Sequence, residues 1–155
     1  MDGPRVKETS RLHFLFRWPA TPLAVGAARR TVEVMPLMLD VARLDELRLL
    51  ISEVVTNAIL HGRVDSDDTV EMRTEITADS VRVEVEDRGR GFDPQPEPHP
   101  RDVGGLGMVI LNRMSRRWGV DRNPEFVVWF ETNGGYRWSD DADASPLESR
   151  YRLAG

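Results

Sequence analysis

Glu53 and Asn57 stand four positions apart, so on a helix they share one face a single turn apart. Val54, Val55, Ala58 and Ile59 around them seek the core, which puts the pair at the border of buried and wet surface. A carboxylate beside an amide oxygen can hold a hydroxyl or water together with a hard cation. Mg2+ prefers oxygen ligands and keeps several waters, so one protein oxygen plus the phosphates of a ligand suffices. The plainer alternative is a solvated glutamate and a helix-surface asparagine. The poor helix propensity of asparagine favours a task for Asn57.

Two glycine-containing segments follow. Asp87 ends an expected strand and leads into Gly89 and Gly91, which allow a tight turn and a close backbone approach to a ligand. A carboxylate there can accept a hydrogen bond from an exocyclic amine, or it can simply terminate a strand, since Asp and Gly are common in turns. Gly104, Gly105, Leu106, Gly107 and Met108 open the next expected helix, where backbone amides unobstructed by side chains form a phosphate site. The alternative is a loop–helix junction that needs a tight bend. Ile110 and the lack of a surrounding βαβ unit set this segment apart from a dinucleotide-binding turn. Arg90 and Arg101 flank a proline-rich stretch and are candidate phosphate contacts or solvated charges. His13, His61 and His99 lack metal-ligand spacing, and Ser52, Ser66 and Ser80 have no partners for a hydrolase.

These residues must be held by a fold. Leu12, Phe14 and Phe16 alternate with His13, Leu15 and Arg17, which predicts a strand ending at Trp18 and Pro19. Thr21 before Pro22 predicts an N-cap and a first-turn proline for a helix over 24–34, with Pro36 ending it. Apolar residues from Leu44 to Ile59 recur at helical spacing over 42–60, with Asp40 as N-cap and Gly62 as stop. After a polar turn at 65–68, residues 70–76 and 81–85 alternate as a hairpin turning at 77–80. Four prolines between 94 and 102 argue against a regular element. A helix over 106–114 and strands over 118–121 and 126–131 complete the pattern. Residues 1–10 read as a flexible start, 11–133 as one domain, and 134–155 as a flexible acidic tail. The element order predicts an α+β fold, a two-layer sandwich with a mixed, mostly antiparallel sheet and helices on one face. A net charge of −5 over 155 residues argues against nucleic-acid binding. The absence of cysteine fits a cytoplasmic protein, and no segment reaches the roughly 20 apolar residues of a membrane helix.

In this order and spacing, the segments at 52–62, 87–94 and 104–108 resemble the GHKL (Bergerat-fold) ATPases, which include histidine-kinase catalytic domains and gyrase. The likeness spans residues 12–132 and is strongest to the small stand-alone anti-sigma-factor serine kinases. It implies the Bergerat ATP-binding fold, with ATP and Mg2+ as cofactors. Asn57 would ligate the metal, Glu53 would activate the attacking hydroxyl, and Asp87 would read the adenine amine. Gly89, Gly91 and residues 104–108 would line the nucleotide, and the proline-rich stretch would be its lid. The branch also implies a STAS-type antagonist as phosphoacceptor, a sigma factor as sequestered partner, and dimerisation as a common state. No expected helical hairpin offers a phosphoacceptor histidine. One departure stands out: Glu125, Phe126 and Val127 occupy the place of Gly-Lys-Thr before the last strand. Val127 is therefore expected to lack a polar contact near the adenine, at a cost on the order of 1 kcal/mol. That departure motivates the alternative reading, a regulatory module that binds nucleotide or only partners and transfers no phosphate.

Overall fold

Leu12, Phe14, Phe16 and Trp18 turn inward while His13, Leu15 and Arg17 stay exposed, and this alternation builds the first strand, β1 (Leu12–Pro19). The computed structural model describes residues 11–61, 68–87, 103–122 and 126–135, with the backbone alone at 61, 87, 103–106 and 122. The expected flexible start, the proline-rich stretch and the tail beyond residue 135 lie outside the described residues.

The first helix, α1 (Leu23–Arg30), starts one residue after Pro22 and has no side-chain cap. Thr21 contributes its carbonyl rather than its hydroxyl, accepting from Ala24 N at 2.9 Å. The chain then tightens into a 3-10 turn over Thr31–Glu33, so the α-helix ends short of the expected residue 34. Thr31 Oγ1 bonds back to Ala28 O at 2.6 Å, and Pro36 prevents resumption. The long helix α2 (Val41–His61) is capped as expected: Asp40 Oδ1 accepts from Arg43 N at 2.9 Å. Its apolar stripe, Leu47, Leu50, Ile51, Val54, Val55 and Ala58, is buried.

Strands β2 (Thr69–Ile76) and β3 (Ser80–Asp87) form the hairpin, whose turn is tied by Thr77 Oγ1 accepting from Ser80 N at 3.1 Å. Helix α3 (Val103–Met114), β4 (Arg117–Arg122) and β5 (Phe126–Asn133) close the domain. Sheet order is β1-β2-β3-β5-β4, and every pair is antiparallel. The α+β sandwich is as expected, and the mixed sheet resolves to a purely antiparallel one. Helix α2 packs on β2, β3 and β5, with α1 and α3 on either side of it. Val83, Val85, Met72, Val128 and Phe130 meet the helices as the core. Among the described residues no helix is long and apolar enough to cross a membrane.

The opposite face of the sheet is a lattice of arginines and glutamates. Arg17, Glu71, Glu86, Val127 and Asp121 form one cross-strand row; His13, Glu75, Arg82, Glu131 and Arg117 form another. Glu71 and Glu86 are 1% and 2% exposed, and Arg73 Nη2 reaches both, at 2.5 and 2.9 Å. Glu131 accepts from Arg117 Nε at 2.5 Å and from Arg82 Nη1 at 3.0 Å. The bonded Arg117 guanidinium holds the Glu131 carboxyl below the usual carboxylate range, against the opposing effect of desolvation. Beyond β5 the chain is pinned. Gly134, at φ 86°, donates to Asp79 O at 2.8 Å, and Gly135 O accepts from Met38 N at 2.9 Å. A Cβ on Gly135 would fall 1.8 Å from Thr77 O, so only glycine fits this crossing of backbones.

Candidate functional site

Helix α2 carries Glu53 and Asn57 on one face, as their spacing predicts. Asn57 is 5% exposed and Glu53 is half-buried. Buried polar side chains are normally paired. Yet among the described residues neither the Glu53 carboxylate nor the Asn57 amide has a hydrogen-bond or ion-pair partner. The pair is thus largely desolvated and holds no partner among the described residues.

Helix α3 completes the site from across α2. It begins at Val103, three residues before the expected start, so Gly104 and Gly105 lie in its first turn rather than ahead of it. The first amides of a helix have no intrahelical partner, so glycine is tolerated there and the amides remain available to an anion. Gly107 lies deeper and is buried. A Cβ added to it would stand 3.0 Å from Asn57 Nδ2, 3.0 Å from Glu53 Oε2 and 3.6 Å from Asn57 Oδ1. The third motif is thereby brought against the first, roughly fifty residues earlier in the chain. Met108 is half-buried against the core, and Leu111 anchors the helix within it.

Asp87 is the last residue of β3, paired with Val70 on one side and Phe126 on the other. Gly89, Gly91, Arg90 and Arg101 lie outside the described residues. Asparagine and glutamate oxygens beside a helix N-terminus suit a hard cation that takes most of its ligands from phosphates and water. Among the described residues no group of three His, Cys, Asp or Glu side chains could hold a metal alone.

A family model, the histidine kinase-like ATPase domain, matches residues 18–130, well over half of the chain. The chain belongs to this family. No curated protein matches alongside it. A histidine kinase-like ATPase domain of the GHKL type implies ATP binding, typically with Mg2+.

The register corrects one expectation. Val127 faces away from the helices, opposite Glu86 and Asp121, because Val128 and Phe130 take the inward positions of β5. An apolar residue at 127 therefore removes no contact on the helix-facing side. Phe126, named from the sequence only as part of the segment in place of Gly-Lys-Thr, packs against the core as the cross-strand neighbour of Asp87. Its relation to Asp87 depends on a pairing between strands some forty residues apart.

Proposed function

We propose that this chain is an ATP- and Mg2+-dependent protein serine/threonine kinase that acts as an anti-sigma-factor switch. In this reading it phosphorylates a STAS-type antagonist and sequesters a sigma factor. The observation that carries the nucleotide chemistry is the near-buried Asn57 amide, without a partner among the described residues, beside the Glu53 carboxylate and closed by Gly107. The serine acceptor and the two partners rest on the likeness of the three motifs to the small stand-alone branch.

Phosphoryl transfer depends mainly on positioning and on stabilising charge. The Asn57 amide oxygen would hold Mg2+, which when bound neutralises charge across the phosphates. The first amides of α3, at Gly104 and Gly105, donate to phosphate oxygens. By the likeness of the motifs, the Asp87 carboxylate would accept from the adenine amine, and Gly89 and Gly91 would line the base. Glu53 orients the incoming hydroxyl and takes its proton. The regulatory alternative drew on the Glu125–Val127 departure from Gly-Lys-Thr; Val127 itself stands on the opposite face of the sheet, while the departure in the sequence remains.

Calorimetry of ATP binding with and without Mg2+ tests the reading. The wild-type chain is expected to bind in the micromolar range with Mg2+. Asn57→Ala should lose on the order of 10- to 100-fold of that affinity, the value of one contact to a charged group, while keeping the fold. Unchanged Mg2+-dependent affinity in Asn57→Ala would remove this residue from the metal site. Binding without transfer to any STAS-domain protein would favour the regulatory alternative.

A further inference from the structure

Where α3 crosses α2, Gly107 contributes no side chain, and two polar groups converge on the space it leaves. We infer that Gly107 is a positioning residue for the Glu53–Asn57 pair: its missing Cβ sets where the carboxylate and the amide stand. The contacts of an added Cβ, 3.0 Å to Asn57 Nδ2 and 3.0 Å to Glu53 Oε2, are tighter than ordinary carbon contacts. Something must give by a few tenths of an ångström.

The helices cannot easily give. Next to Asn57, Val54 is 0% exposed and Ala58 7%; on α3, Leu111 is 0% exposed. Well-packed cores resist such shifts. The two polar side chains, which hold no partner among the described residues, are the soft elements, so a methyl group would spread them apart. Gly26 offers the contrast: its added Cβ would meet nothing nearer than Arg30 Nη1, at 3.6 Å. The catalytic meaning of this inference rests on the nucleotide reading, because misplacement by about an ångström can cost on the order of 100-fold in rate. The geometric claim does not.

The test compares Gly107→Ala with Gly26→Ala by two readouts. The first is the side-chain amide NMR signal of Asn57, assigned by its loss in Asn57→Ala. It should move in Gly107→Ala and stay in Gly26→Ala; an unmoved signal in Gly107→Ala overturns the inference. The second is the ratio of ATP dissociation constants without and with Mg2+. It should fall at least tenfold in Gly107→Ala, with metal-free affinity kept within threefold. An equal loss of metal-free affinity would assign Gly107 to direct nucleotide contact and overturn the positioning role. If the wild-type chain binds no ATP, the nucleotide reading fails, and the NMR signal alone decides the positioning claim. Should Gly107→Ala not fold, Gly107→Ala/Glu53→Ala, which removes the carboxylate from the contested space, should fold; its failure would place the clash in helix packing and overturn the inference.

Discussion

Replacing Arg73 by Met keeps a similar apolar stem and deletes the guanidinium that bridges two buried carboxylates. Glu71 and Glu86 are directly opposite one another across β2 and β3, at 1% and 2% exposure. Arg73 Nη2 lies 2.5 Å from Glu71 Oε1 and 2.9 Å from Glu86 Oε2. Removing one partner of a fully buried ion pair costs about 3–5 kcal/mol. That figure must be reduced here, because the Arg73 side chain is 48% exposed and Arg17 Nε remains 2.5 Å from Glu71 Oε2. A loss of about 2 kcal/mol results, equivalent to a fall in Tm of about 4–8 °C for a domain of this size. Urea denaturation followed by tryptophan fluorescence measures it. The second arm is Arg73→Met/Glu86→Gln, which removes the charge from both partners of the 2.9 Å pair. Its loss should differ from the sum of the two single losses, since residues in direct contact couple. A single variant within about 0.5 kcal/mol of wild type, or a double variant whose losses simply add, would refute the argument.

If Glu53 acts on the acceptor hydroxyl as proposed, Glu53→Ala should bind Mg2+-ATP with affinity close to wild type yet lose phosphate transfer; full transfer by the variant would remove Glu53 from the mechanism. Glu131 gives a pH signature. Its folded pKa is lowered by its bond from Arg117, so its contribution is complete above the unfolded value of about 4.3 and fades as pH falls through the folded value. Glu131→Gln should therefore flatten the acid limb of a stability–pH profile below about pH 4 and leave the slope between pH 5 and 7 unchanged; an acid limb identical to wild type would contradict this.

Much of the fold was legible because it is written in local periodicity. Helix α2 follows from apolar residues at helical spacing and the Asp40 cap, and the β2–β3 hairpin from alternation around Thr77. Boundaries were less secure where local preference and tertiary demand diverge. Thr21 precedes Pro22 as a capping residue should, yet its hydroxyl does not cap α1. Glycines 104 and 105 open a helix as expected, but that helix begins at Val103 rather than at the expected residue 106.

The sequence by itself determined the helix that places Glu53 beside Asn57, and the family of nucleotide-binding domains the chain belongs to. Those properties depend on residue types and on spacings of a few positions, which backbone geometry converts directly into a shared face. Only the tertiary structure decided that β5 inserts between β3 and β4, that Val127 faces away from the helices, and that Gly107 meets Glu53 and Asn57. Each of these is a contact between segments far apart in the chain. A strand's register reverses with a slip of one residue, and a helix crossing depends on a few ångströms of packing; neither leaves a local periodicity to read.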